Sequence, residues 1–582
     1  MKAFKLIWRM ILYRPVLYFF DGIFWTGVHT FPLLPGLITR LFFNHLTGEA
    51  AAGINTWTII AMLFAVALGR ICVILLGAWA DSQHRFSMSA LLRNNMLTHI
   101  LKRPGAQAIP CSPGEAVSYF REDAEQAEDA ISWTLDIVGN VLFAVVALWI
   151  LISISARITF FVFVPLVAVM VIFNRATHKI EQYRQASREA TAQVTGFLGE
   201  TFSAVLAIQV AGAEARMVEH LSQLNEERRK LVLKDRAFNL LLDSVSSNAV
   251  SLGTGFILIL ASQAMSTGTF SVGDFALFVY YLDFVTGFSE FFGFFLAHFK
   301  QTSVSFDRMA EFLFKSPPAV LVEHNSLHLK GELPAIDVPL HNSTTELKSL
   351  EVRNLSFHYP GANKGVNGIN LRVKAGEFVV ITGRIGSGKS TFLKALLGLV
   401  QKDSGTITWN GQDVADPTDF FVPPRTAYTS QVPILFSDPV RGNILLGQPE
   451  ESVNISSAIH SAVLEPDIRQ MEHGLDTLVG SRGVKLSGGQ VQRVAAARML
   501  ARNASLLIFD DLSSALDVET EGLLWERVFK RPNVTCLVVS HRRPALRRAD
   551  HIIVLKDGQV HDSGKLDELM ERCEEMRLLW HG

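Results

Sequence analysis

Long apolar runs are confined to the first 300 residues of the chain. Six of them, at about 16–43, 56–80, 132–154, 157–174, 241–264 and 271–297, each approach the roughly 20 residues a helix needs to cross a bilayer. The fifth, LLDSVSSNAVSLGTGFILILASQAM, is rich in Ser and Gly, which suits a helix packed against other helices. Gaps one, three and five are short; gaps two and four are roughly 50 and 65 residues long. The long gaps carry many basic residues, among them Arg85, Arg93, Lys102, Arg103 and Arg121, whereas 44–55, 152–156 and 264–270 carry none. The positive-inside rule then places both termini and both long gaps in the cytoplasm. The long gaps read as helical, as in HKIEQYRQASREATAQVTGFLGETFSAVLAI, and limbs of about 25 residues would project roughly 35 Å below the membrane. Ahead of the first run, the mixed basic and aromatic start predicts a short amphipathic helix lying on the membrane.

After Lys315 the pattern changes. Residues 316–349 hold prolines and mixed polarity without a long period, and read as a linker. From about Leu350 short apolar strands alternate with helices, as in a soluble α/β domain. The expected organisation is a transmembrane domain at 1–315, a linker at 316–349 and an α/β domain at 350–582. Composition agrees: 49% of residues are hydrophobic against 19% charged, too apolar for an ordinary soluble enzyme. A net charge of −1 gives no global field for nucleic acid. Cys72, Cys111, Cys536 and Cys573 form no CxxC or Cys/His cluster, so neither a disulfide framework nor a zinc site is expected.

Candidate chemistry concentrates in the second half. The stretch EFVVITGRIGSGKSTFLKALLGLV reads strand, Gly-rich loop, helix. Within it lie Gly383, Arg384, Ile385, Gly386, Ser387, Gly388, Lys389, Ser390 and Thr391. The glycines let backbone N–H groups turn onto phosphate oxygens, and the helix start favours anions. Lys389 would reach the β- and γ-phosphates and Ser390 would ligate magnesium. About 120 residues later the apolar strand LLIF ends on Asp510, an acid placed to hold that magnesium, followed at once by a second acid, Asp511. In LSGGQVQRVAAARMLARN, Ser487 and Gln490 have capping-box spacing, so a helix with free donors should start there.

With the Gly-rich loop, LSGGQ, DDLSSALD and SHR in this order, nearly the whole chain resembles an ATP-binding cassette (ABC) transporter. Six spans before one nucleotide-binding domain resemble an exporter-type half-transporter. The resemblance implies a membrane all-α six-helix domain with long cytoplasmic extensions, then an α/β P-loop ATPase domain. It implies that Tyr359 stacks on adenine and that Gln431 links magnesium and the attacking water to the transmembrane contact. Ser487, Gly488 and Gly489, with Gln490 closing the motif, match the signature that binds the γ-phosphate of ATP held by the opposite subunit. Asp517 falls in the loop joining the two nucleotide sites, and His541 matches the switch histidine. Residues 112–120 and 207–216 resemble the two short helices that dock on nucleotide-binding domains. The family works as a dimer, so a second half-transporter chain is the implied partner. ATP and Mg2+ are the implied cofactors, and the cytoplasmic face of a bacterial inner membrane is the implied place for the ATPase domain.

Two positions depart from the family pattern. Asp511 stands where most active members have a Glu acting as base or water-positioner, and Asp is one methylene shorter. Such an Asp is typical of the weak site of asymmetric heterodimers, which favours a heterodimer; a homodimer hydrolysing slowly through Asp511 stays open, because Gln431 and His541 are retained. Ser481 replaces a usual Glu before the signature. Inside the spans Arg70, Asp136, Asp243, Asp283 and Glu290 are charged. Asp283 and Glu290, seven apart among aromatics, would suit an amphipathic cation or equally serve packing. The leading expectation is ATP-driven export of an unidentified lipid, peptide or small molecule, with membrane lipid as surroundings and no nucleic-acid partner. The alternative is an ATP-gated regulatory or channel-like subunit with little hydrolysis of its own.

Overall fold

The computed structural model describes residues 2–48, 55–105, 109, 111–266, 268–314, 316–332, 334, 346–361, 364–480, 483–512, 516–531 and 534–581. Side chains of residues 2, 165–181, 242–243, 245–247, 249–250, 252, 285–286 and 289–290 lie outside that description. The chain forms two compact units: Met1–His99 with Ile109–Leu327, and Ile100–Ala108 with His328–Gly582.

The first unit is helical: α1 (Lys2–Tyr13), α2 (Pro15–Thr30), α3 (Leu33–Leu46), α4 (Thr56–Leu101), α5 (Pro113–Ser118), α6 (Ala124–Ser203), α7 (Val205–Val210), α8 (Glu214–Ser266) and α9 (Val272–Phe312). Each expected span falls on helix, but the first is not one continuous rod. It divides into α2 and α3 at Phe31–Pro32, because Pro32 and Pro35 carry no N–H to continue the ladder. The third and fourth runs are the two halves of α6, which leaves helical geometry at Ser155 (φ −154°, ψ 98°). Among the described residues, two helical stretches are long and apolar enough to cross a membrane, Thr56–Leu101 and Pro113–Val164, with mean hydropathy 2.7 and 2.6. The fourth, fifth and sixth runs include residues whose side chains lie outside the description.

Small residues set the closest helix contacts. A Cβ on Gly36 of α3 would come within 2.5 Å of the Tyr281 ring on α9, and the Tyr281 hydroxyl donates to the Leu33 carbonyl at 2.7 Å. On α6, Gly139 leaves room for His29 of α2, which meets Asp136 at 2.8 Å. In the long gaps, the short helices α5 and α7 cover part of the two stretches expected to dock. The Ser112 hydroxyl caps α5 by accepting from the Glu115 amide. The first part of the expected linker is structured: Pro318–Val322 is a 3-10 turn, and Asn95 of α4 donates to the carbonyls of Leu321 and Glu323 at 3.0 and 2.9 Å.

Among the described residues the second unit has ten strands: β1 (Ser349–His358), β2 (Gly365–Lys374), β3 (Phe378–Thr382), β4 (Ser404–Trp409), β5 (Gln412–Asp413), β6 (Thr426–Thr429), β7 (Leu506–Asp510), β8 (Thr535–Val539), β9 (His551–Lys556) and β10 (Gln559–Gly564). They make an antiparallel sheet ordered β2-β1-β4-β5 and a second sheet ordered β10-β9-β3-β8-β7-β6. In the second sheet β3, β7 and β8 are buried along their whole length and pair in parallel, which is why they read as unbroken apolar runs. β3 and β7, separated by β8, therefore end side by side at the same edge. The helix α10 (Lys389–Leu396) leaves from that edge after β3.

Candidate active site

The loop between β3 and α10 holds three glycines with left-handed backbones, Gly383, Gly386 and Gly388, and two of them are tightly packed. Gly383 (φ +147°) lies against β9, where a Cβ would meet the Leu555 carbonyl at 2.2 Å. Gly388 (φ +99°) precedes α10, and its Cβ would meet the Val366 side chain at 2.9 Å. Neither position has room for a side chain. Lys389 turns back under the loop, and its ammonium donates to the carbonyls of Gly383 and Arg384, both at 2.8 Å. Burial pushes its pKa down, opposed by the charges of Asp511 and Asp510. A cation held only by carbonyls, in a loop of backbone donors, suits an anion. Among the described residues the buried Ser387 hydroxyl has no hydrogen-bond partner; Ile385 is fully exposed, and Thr391 sits half-buried in the first turn of α10.

At the end of β7 the two acids have different surroundings. Asp510 is buried, accepts from the Ser390 hydroxyl at 2.9 Å and receives the Tyr428 hydroxyl at 3.4 Å. Burial raises its pKa, and the two hydroxyls oppose the rise. Asp511 follows with φ +51°, a left-handed backbone that is costly for a residue with a Cβ, and its amide donates to Val539 at 3.0 Å. That twist aims its carboxylate toward Gln431 and His541, but both contacts are long: Gln431 Nε2 at 3.4 Å and His541 Nδ1 at 3.9 Å. One oxygen, Oδ1, is buried and has no hydrogen bond among the described residues. Burial raises the Asp511 pKa as well, opposed first by the charge of His541 and then by the Gln431 amide.

The structure thus brings Lys389, Ser390, Asp510, Asp511, Gln431 and His541 together. Tyr428, which sequence reasoning missed, belongs with them; its signal was a tyrosine on the strand three residues before Gln431. Among the described residues, the Ser487–Gln490 turn makes no hydrogen bond or ion pair to this group. Ser487 caps the helix Gly488–Leu500 in a capping box with Gln490, as the spacing predicted. Gln490 is in turn held by Asp467 at 3.2 Å, which also takes a two-point ion pair from Arg493 at 2.8 Å each. Sequence reading had no means of finding Asp467, since it lies on another helix. Tyr359 stands edge-on to Phe357 at 5.0 Å between ring centres and is part-exposed. Asp517 caps the helix Val518–Phe529 through the Thr520 amide at 2.8 Å, and those backbone hydrogen bonds hold its pKa down. Ser481, and the side chains of Asp243 and Glu290, lie outside the described residues.

Residues 24–288 match the family model for the ABC transporter transmembrane region, and residues 366–514 match that for the ABC transporter. The ATP-dependent lipid A-core flippase of Alcanivorax borkumensis is 30% identical over 495 residues, spanning 83% of this chain and 81% of its own. The chain belongs to the ABC transporter family. This transporter is also similar to a candidate multidrug export ATP-binding/permease protein, YgaD, of Bacillus subtilis, at 27% identity over 488 residues, 82% of this chain and 81% of that one. Its fold is that of a bacterial Atm1-family ABC exporter solved with ATP bound, with a TM-score of 0.73 over 96% of this chain and 98% of that one, at 21% identity. The transporter is an integral membrane half-transporter: a helical transmembrane region fused to an ABC nucleotide-binding domain, whose ATPase drives export.

Proposed function

We infer that this half-transporter exports an amphipathic or lipophilic molecule as one half of a dimer, and that its own nucleotide site is the slow one of a heterodimer. The observation that carries the reading is Asp511. Its carboxylate is buried and turned toward both groups, yet it stops 3.4 Å from Gln431 and 3.9 Å from His541, and among the described residues Oδ1 has no hydrogen bond. A shortfall of about 1 Å at a reacting group costs on the order of a hundredfold in rate. Lys389 is placed to neutralise the β- and γ-phosphates of ATP, with the loop amides between Gly383 and Gly388 around them. Ser390 and Asp510 offer the hard oxygen donors that Mg2+ takes, and the ion would supply charge neutralisation on the phosphates. Among the described residues no group of three or more His, Cys, Asp or Glu forms a cage of its own, which suits an ion shared with the nucleotide.

In this reading Asp511 accepts the proton of the attacking water, with Gln431 and His541 orienting the carboxylate and the water. Ser487, Gly488 and Gly489 complete the site of the partner chain, so the intact signature here serves the faster site opposite. The names of the relatives, a lipid A-core flippase and a multidrug exporter, support a lipid-like cargo. Asp283, exposed on α9 beside Phe284, is a candidate contact for a cationic group on it. The ATPase domain would face the cytoplasm of a bacterial inner membrane. A second reading, an ATP-gated subunit with almost no hydrolysis, draws on the same long contacts of Asp511.

The test is phosphate release by the purified chain, alone and mixed with a half-transporter that carries Glu at the matching acid. Slow turnover alone and fast turnover together supports the heterodimer. Equal rates would sink it, and no turnover in either sample would favour the gated subunit.

A further inference from the structure

The C-terminal helix Glu574–His581 bears on the phosphate loop, although no motif marks it. Glu575 near its start is almost fully buried, at 3% exposure, and its carboxylate is spent on two cations. The Arg384 guanidinium, in the second residue of the loop, donates to it through Nε and again through Nη2 at 3.2 Å. Lys556, the last residue of β9, pairs at 3.4 Å with Oε2, the oxygen that also accepts from Arg384 Nη2. The arrangement closes a short circuit around the site. Arg384 and Gly383 supply the carbonyls that hold Lys389, Gly383 packs on Leu555 of β9, and the amide of Gly558, just past β9, donates to the Ser387 carbonyl at 3.2 Å. The loop is thus bound to the end of β9 at its first, second and fifth residues, and Glu575 makes the second of those ties. The far end of the helix reaches the other side of the site: Arg543, two residues past His541, donates to the Trp580 carbonyl at 2.9 Å and lies over the Trp580 ring at 5.4 Å.

We propose that Glu575 is a positioning residue for nucleotide: by holding Arg384 against Lys556, it fixes the turn of the phosphate loop from which Lys389 is hung. Removing its charge frees the Arg384 side chain and loosens the two carbonyls that orient the Lys389 ammonium. The effect falls on nucleotide affinity rather than on the identity of the base. The proposal rests on this loop being the nucleotide site. The experiment is a fluorescence titration of the full-length chain in detergent with magnesium and trinitrophenyl-ATP, using wild type, Glu575→Gln, Arg384→Gln and the double variant. Binding by the wild type checks the site itself, separately from the brace. For the brace, Glu575→Gln weakens binding on the order of fivefold, the loss expected for a charge-assisted pair that acts indirectly. The double variant binds no worse than Arg384→Gln, because both changes remove the same tie. Wild-type affinity in Glu575→Gln, or full additivity in the double variant, would overturn the proposal, including when Glu575→Gln merely lowers the melting temperature. Should Glu575→Gln fail to fold, Glu575→Asp keeps the charge with a shorter reach; a partial loss of affinity there supports the brace and an unchanged affinity sinks it.

Discussion

Asp510 ends a buried strand of the nucleotide-binding unit and finds its partners, Ser390 and Tyr428, at the ends of neighbouring segments on the same sheet edge. Asp136 lies within α6 of the membrane unit and finds His29 from α2. Asp21, also on α2, is fully buried, and among the described residues neither of its carboxylate oxygens is hydrogen-bonded. In the sheet, strand ends gather polar groups at one rim whatever the helices outside do, so chemistry collects there by topology. In the helical unit a polar group finds its partner one turn along its own helix or where two helices cross, and Gly139 has to stay small for His29 to reach Asp136. The nucleotide site is therefore expected to respond to substitution in rate, and the helical unit in stability.

The largest expected effect is on Lys389. Lys389→Ala removes the cation under the loop and should lower ATP hydrolysis by a hundredfold or more, on the order seen when one charge-stabilising group is lost, as read by phosphate release. Asp511→Glu comes next. Lengthening the carboxylate into its gaps to Gln431 and His541 should raise turnover of the chain alone by about tenfold to a hundredfold. If turnover does not move, the short acid is not what limits the site, and its contrast with Asp510 loses its meaning.

The third prediction concerns pH. Burial raises the Asp511 pKa, and a base works ionised, so hydrolysis should fall on acidification at a pH above the ordinary carboxylate range. A rate profile of the wild type should show that acid limb, and one in which activity persists down to the normal aspartate range would contradict it. Smaller effects belong to the helices. Gly36→Leu forces a side chain onto the Tyr281 ring and should cost about 1–3 kcal/mol, measured by thermal unfolding in detergent, with nucleotide binding unchanged. Asp136→Ala, which removes the 2.8 Å partner of His29 and leaves it the contact with Asn140 at 3.3 Å, should cost about 1 kcal/mol in the same assay. A large loss of ATP binding from either helical variant would break the division between the two regions.

Much of the local geometry around the candidate nucleotide site was legible because its residues form short local motifs. Gly383 to Thr391 occupy one turn between strand and helix, Asp510 ends the strand LLIF, and Ser487 caps its helix with Gln490 as the spacing required. The six apolar runs were legible for a similar reason, since length and composition alone make a spanning helix. The break of the first run at Phe31–Pro32 was written in the prolines, yet a count of apolar residues passes over it. Asp467 and Glu575 could not be read ahead. They act on residues 23 and 191 positions away, and nothing in their own neighbourhoods differs from an ordinary helix.

By itself the sequence determined the element types, the phosphate loop, the order of motifs and the short acid at 511, since all of these depend on residues within a few positions of one another. Tertiary structure decided how that acid is turned and how far it falls from Gln431 and His541. It also decided which hydroxyls hold Asp510, and that a glutamate seven residues from the C-terminus steadies the loop under Lys389. Those are distances between segments far apart in the chain, and they are set by how the sheet registers its strands and where the helices pack.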